Sequence, residues 1–502
     1  MTSSDYSSTK QITHTPAIEN ALTWGSDGRS LYYGSLRNGR SNIYRATIKR
    51  DDDPNFSNAT VIEEKEMFSN DGVERGYPSV SPDGKKMVFV EDRTKLKVLD
   101  FDSKKVRTLS DDRITTSRSS GIGVEWSPDS KWITLEVMNP MHEPYGDIAI
   151  INVEDGEFIN ITNTGYFDQN PRFTSDGSAV VFESERYGMR NHASWGSESD
   201  VMMVFLTKDA YDKFRMNEED YELFKEVEDQ QKKDSKKKDS DSDKKNKDSK
   251  KKNSESDKED KSIKIDREGI QDRIVRLTPN SSNLADFVVS KDGSTLYYLS
   301  SFEDGYDLWS KDLRKGDVSM IKKLGSSPAG IQTDKNGNIY LVGATVRKFI
   351  PSSKSLKNIS TSGSVKIDPY KEREAMFNFM ANEAQERFYL AKMPINWKEY
   401  VENYRKFLPH INNNYDFQML LSEILGELNV SHSGGRYSSA TAKDATASLG
   451  LIFDLTTDKD GLRIEEIMAG GPFDRSSTRV KAGDIAVSYT HLRAHETRGN
   501  IV

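Results

Sequence analysis

The feature that most limits how this chain can fold is a hairpin motif that returns six times. The copies centre on Asp27-Gly28, Asp83-Gly84, Asp129-Ser130, Asp176-Gly177, Asp292-Gly293 and, more weakly, Asn336-Gly337. Short aromatic or β-branched runs follow them, such as Leu31-Tyr32-Tyr33, Met87-Val88-Phe89 and Leu296-Tyr297-Tyr298. Asp-Gly and Asn-Gly supply the positive φ angles of a tight hairpin, and the flanking residues suit pleated, half-buried strands. Most copies lead into a further strand, as at Asn42-Ile43-Tyr44 and Asp307-Leu308-Trp309. A period of roughly 40–50 residues with about four strands predicts propeller blades, which must stack because each has too little apolar surface alone. The aspartates are turn formers, not catalysts.

Residues 10–366 are therefore predicted to form an all-β propeller of six or seven blades, with a closing strand near Ser364 to Ile367. An insertion, 211–264, interrupts one blade. Its start, Tyr211 to Val227, has helical periodicity. Its core, Asp229 to Lys261, holds only charged and polar residues, cannot offset the entropy of ordering, and is predicted to be a disordered surface loop. Lysine and acidic charges nearly cancel there, so it reads as a solvated loop and not a nucleic-acid patch.

Beyond Asp368 the pattern turns helical. Met376, Phe377, Met380 and Ala384 mark one helix; Tyr400, Val401 and Tyr404 mark a second. Phe417, Leu420, Leu421, Ile424, Leu425 and Leu428 mark a third over Asp416 to Leu428, with Asn412 to Asn414 where an N-cap is wanted. That helix runs into Ser431-His432-Ser433, and Gly434-Gly435 end regular structure. A histidine just past a packed helix has a rigid support yet can face a cleft, as a general base requires. It equally suits an ordinary histidine at a helix C-terminus, where cations are favoured. His410, in a linker, reads as a packing or surface residue.

At 502 residues the chain is too long for one core and implies at least two domains. A net charge of -8 argues against nucleic acid as a partner. No apolar run approaches the ~20 residues of a membrane helix, and without cysteine there is neither disulfide nor thiol chemistry. The N-terminus has no apolar core of a signal peptide, but it starts abruptly, which leaves room for an upstream segment.

The run Leu420 to His432 (LLSEILGELNVSH) resembles the first lobe of the catalytic core of tricorn-type proteases, serine peptidases related to the C-terminal-processing peptidases. The repeats are similar to the WD-like propeller of those enzymes and of TolB-type proteins. The resemblance implies that 367–440 is the helical first lobe, with His432 as the catalytic histidine and Ser431 joining the hydrogen-bonded tetrad. Residues 441–487 resemble the first half of a PDZ domain. Leu449-Gly450-Leu451 match its carboxylate-binding loop, and Gly470-Gly471-Pro472 with Gly483-Asp484-Ile485 match its later pattern. Such a module binds a peptide C-terminus by strand addition, or merely positions the lobes. From 488 to 502 the pattern breaks, and a non-native tail is expected. His491 and His495 have the i, i+4 spacing of helical metal ligands, yet no metal and no cofactor is expected.

In the family the nucleophile, oxyanion donors and acidic residue come from a second lobe beyond the PDZ domain, and hydrolysis needs all of them. The expectation is a serine peptidase acting on short peptides, with the propeller gating or presenting substrate, and with this chain a fragment inactive alone. The expected partners are peptide substrates and further copies of the chain, with no nucleic acid and no membrane. The expected compartment is the cytoplasm, or the periplasm if an export signal is missing. The rival readings are a non-catalytic propeller–PDZ peptide-binding scaffold and a ligand-binding propeller; the latter leaves the helical lobe unexplained.

Overall fold

The computed structural model describes residues 9–110, 123–138, 145–189, 197–228, 230, 262–302, 305–325, 330–361, 363–364, 366–390, 392–438, 449–454, 456 and 461–486. Each repeat closes as a hairpin, and the aspartate is what closes it. Asp27 Oδ1 accepts the backbone N–H groups of Arg29 and Ser30, both at 2.9 Å. Asp83 accepts Lys85 N at 3.0 Å, Asp176 accepts Ser178 N at 3.1 Å, and Asp334 accepts Asn336 N at 2.9 Å. These side-chain bonds to the backbone two residues on are what make aspartate a turn former. The following residue is left-handed: φ is 65° at Gly28, 72° at Gly84, 71° at Gly177 and 74° at Gly293. Ser130 takes the same conformation, φ 59°, without being glycine.

The hairpins build six four-stranded antiparallel sheets among the described residues, each a meander in chain order. They span 19–66, 75–108, 125–160, 168–276, 283–323 and 330–359. Apolar residues alternate onto both faces, so most of the core lies between blades, while the first blade also keeps a cluster of its own around Tyr33, Tyr44 and Phe56. Val88, Val90 and Val98 of the second blade pack with Ile133, Leu135 and Ile151 of the third. Ile148 and Ile150 of the third pack with Val180, Phe182 and Met202 of the fourth. Full burial of each such side chain is worth roughly 1.5–3 kcal/mol. Because neighbours share these cores, removing an inner blade such as the third would expose two interfaces.

The last blade completes itself. The turn at Pro351–Ser353, with Lys354 at φ 49°, lets Ser355–Ile359 pair back on Val346–Ile350. The described residues among 363–367 lie in no strand, so the closing strand expected near Ser364 to Ile367 is not formed there. The sheet gains its fourth strand locally instead.

The insertion leaves the fourth blade between its third strand, Asp200–Phe205, and its fourth, Ile274–Arg276. It begins as helix: α1 (Lys208–Arg215) is capped by Thr207, whose hydroxyl accepts Ala210 N, and α2 follows over 218–228. Arg314 of the fifth blade ties these helices to the propeller. Its guanidinium donates to the carbonyls of Lys213, Phe214 and Met216 at 2.7–3.2 Å and covers the Tyr221 ring at 4.0 Å. The charged stretch read as disordered, Asp229 to Lys261, lies outside the described residues apart from position 230. So does the tail, 488–502.

The chain separates into two compact units, Met1–Glu383 and Ala384–Val502. The division falls inside α3 (Pro369–Glu386). Within the first unit, Asn382 of α3 donates to the carbonyl of Gly39 at 2.6 Å, and Glu383 pairs with Arg93 at 3.3 Å. The second unit holds α4 (Trp397–Arg405), α5 (Asn414–Gly426) and a three-stranded sheet of Leu451–Asp454, Leu462–Ile467 and Ile485–Ala486, in that order.

Candidate active site

Helix α5 starts where its cap dictates: Asn413 Oδ1 accepts Asp416 N at 2.9 Å. Asp416 in the first turn adds a favourable charge at the positive end of the helix dipole. Phe417, Leu420, Ile424 and Leu428 are buried, while Leu421 and Leu425 are half-buried. Helix α4 is fastened alongside by Tyr404, whose hydroxyl donates to Glu427 Oε1 at 2.9 Å. Burial, reinforced by that carboxylate, pushes the Tyr404 phenol up to about 12, so it stays a donor at neutral pH.

Past Gly426 the chain leaves the helix through Asn429, φ 49°, and turns a second time at His432, φ 60°. Ser433 Oγ donates to the carbonyl of Val430 at 2.9 Å. The chain then folds back on α5. Gly435 N donates to Ser422 Oγ at 3.0 Å, and that hydroxyl donates to the Gly435 carbonyl at 3.3 Å. Tyr437 meets Tyr415 edge to face, with centroids 5.0 Å apart. A Cβ at position 435 would sit 2.9 Å from the Gln418 carbonyl oxygen, so only glycine allows this approach. Ser431 and His432 therefore ride on a turn anchored at both ends, and both are exposed. Chain adjacency brings them together, and no hydrogen bond joins their side chains. An imidazole so placed can take a proton from a group arriving from solvent.

Of the predicted carboxylate-binding loop, Leu449 is half-buried and Gly450 is buried, with φ 64°. The Gly450 carbonyl accepts Met468 N at 2.9 Å, and a Cβ on Gly450 would meet Pro472 Cδ at 2.9 Å. Leu451 opens the edge strand of the sheet, paired with Ile467 on one side, and Ile452 is 43% exposed.

The propeller holds residues that the sequence reading passed over. The first strands of all six blades line two cavities, of about 460 and 220 Å³, that share Glu125 and Trp126. This is the axial channel. Thr23, Ser79, Glu125, Arg172, Val288 and Gln332 occupy one equivalent position, the penultimate residue of each first strand, and all line it. Aligning the repeats with one another would have shown that this position is charged in only two copies. Arg172 binds Asp286 at 2.7 Å, and Asp286 also accepts Ile331 N at 2.8 Å, which ties the fourth, fifth and sixth blades together.

Residues 369–426, covering α3, α4 and α5, match the family described as Tricorn protease C1 domain. A tricorn-like protease C-terminal subunit of Sulfurisphaera tokodaii is 22% identical over 420 residues, which cover 78% of this chain and 43% of that protein. The chain is a tricorn protease homologue. Tricorn protease homolog 1 of Streptomyces coelicolor is 25% identical over 449 residues, which cover 82% of this chain and 39% of the relative. In fold, this tricorn homologue is similar to the crystal structure of the tricorn protease, with a TM-score of 0.59 at 13% identity over 89% of this chain and 41% of that one. It thus spans about four-tenths of the length of these relatives. The C1 match ends at Gly426, just short of Ser431 and His432. Among the described residues no helix is long and apolar enough to cross a membrane.

Proposed function

We propose that this tricorn homologue carries part of the catalytic centre of a serine peptidase that hydrolyses short peptides, with His432 as general base and Ser431 as its neighbour in the hydrogen-bonded set. The observation that carries the reading is the exposed imidazole on a turn clamped to α5 through Ser422 and Gly435. A general base needs this combination of fixed position and open face. The nucleophile, its oxyanion donors and the acidic partner would come from a second lobe, so the 502 residues alone would not turn over peptide. The propeller would gate or present substrate. Residues 441–487 would act as a PDZ-type module, with Leu449, Gly450 and Leu451 receiving a peptide C-terminus. Assembly into a homo-oligomer in the cytoplasm completes the proposal.

The test is turnover of a fluorogenic short peptide by the full gene product. His432→Ala should abolish hydrolysis and leave melting nearly unchanged; undiminished turnover would refute the assignment. The scaffold reading is favoured by one observation of its own, the open edge strand Leu451–Asp454 with Ile452 exposed. It would gain if the full product bound peptides but never cleaved them.

A further inference from the structure

Glu125 stands apart from the other carboxylates of the propeller. The two channel cavities meet at it, and it is exposed although it lies on an innermost strand, because the surface it keeps faces the lumen. Its strand is held in place next door: Trp126 is buried and donates Nε1–H to the Ser79 carbonyl at 3.2 Å. Among the described residues lining the two cavities, Glu125 and Arg172 are the only charged ones. Arg172 is already committed to Asp286 and to the carbonyl of Phe287. The Glu125 carboxylate makes no hydrogen bond or ion pair to a described residue, its backbone alone being paired, to the Thr134 strand. Burial in the surrounding protein pushes its carboxyl up, and the Arg172 guanidinium only partly opposes this. A carboxylate in such a place gains most from a cation that enters the channel and replaces lost hydration. The rest of the lining around it is neutral: Thr23, Tyr77, Ser79 and Trp126 on one side, Thr174 and Gln332 on the other.

We propose that Glu125 is a recognition point for an alkylammonium group inside the axial channel, supplied by a peptide's free N-terminus or by a lysine side chain. The inference rests on the reading that the propeller handles peptides, and deepens it by naming the charge that the channel selects. An acidic peptide would meet like charge at the same place and be disfavoured.

Calorimetric titration of the 502-residue chain at pH 7, where a peptide's α-amino group is still mostly protonated, tests this without turnover. The probes are tetra-alanine amide, N-acetyl-Ala-Lys-Ala amide and N-acetyl tetra-alanine amide, which carry an α-ammonium, a lysine ammonium and no charge. At least one cationic probe should bind about tenfold or more tighter than the neutral one, and which of them does so identifies the source. Glu125→Gln should erase that difference without lowering the melting temperature. Should Glu125→Gln misfold, Glu125→Asp, which keeps the charge but retracts it, should reduce the difference. Equal binding of all three probes, or a preference that survives Glu125→Gln, overturns the proposal. Neither result bears on whether His432 catalyses hydrolysis.

Discussion

The Ser422 hydroxyl and the Gly435 backbone hold each other in both directions, accepting the amide at 3.0 Å and donating to the carbonyl at 3.3 Å. This one reciprocal pair fixes where the turn bearing Ser431 and His432 sits against α5. Ser422→Ala should cost about 1 kcal/mol, the usual net worth of such bonds. Hydrogen exchange should accelerate at Gly435 while the amides within α5 stay protected. Unchanged exchange at Gly435 would show that the clamp is not needed.

Gly435→Ala attacks the same contact by crowding. The added methyl would lie 2.9 Å from the Gln418 carbonyl oxygen and 3.1 Å from Leu421 Cβ, so α5 or the turn must shift. A loss of roughly 1–3 kcal/mol is expected from such overpacking, measured by urea unfolding. Peptide turnover by the full gene product should fall with it, because the imidazole is displaced.

His432 adopts φ 60°, a conformation that disfavours residues with a Cβ. His432→Gly should therefore leave stability unchanged or raise it by up to about 1 kcal/mol, while abolishing hydrolysis. Stability and activity moving in opposite directions is what a strained functional residue shows. A matching loss of both would mark His432 as structural.

Asp286 is buried and accepts from Arg172 at 2.7 Å, Ile331 N at 2.8 Å and Phe287 N at 2.8 Å. Asp286→Ala strands an arginine and two amides at the meeting of three blades. A cost of about 3 kcal/mol or more is expected for breaking a buried pair from one side, read as a lower midpoint in denaturant. Gly330→Ala, whose methyl would approach Asp286 Oδ2 to 2.5 Å, should reproduce part of it.

Glu136 gives the propeller a pH dependence. Burial, and then the nearby Glu183 and Asp168 carboxylates, push its pKa from 4.5 to about 7. The fold therefore binds this proton more tightly than the unfolded chain. The stabilisation is complete below pH 4.5 and is lost as pH rises towards 7. At about 1.4 kcal/mol per unit the change is on the order of 3 kcal/mol at most. Glu136→Gln should flatten the stability profile across that window and raise stability at pH 8. A profile as steep as the parent's would assign the effect to other groups.

Much was legible in the chain because the deciding interactions are local. An aspartate that bonds an amide two residues away, a glycine at positive φ, an asparagine cap and an apolar stripe of period 3.6 need no distant partner, so the six hairpins and α5 follow from residue order alone. The stacking of blades follows too, since no single sheet could bury its own faces. The tertiary structure decided the rest. Nothing near Glu125 in sequence announces that its strand faces Thr23, Arg172 and Gln332 across a channel, because those positions are brought together by six blades converging on one axis. Nor could the chain reveal that Arg314, about a hundred residues on, caps α1, or that Gly435 reaches Ser422. Such pairings depend on long-range geometry, and the energy of a charge depends on what surrounds it once the chain has folded.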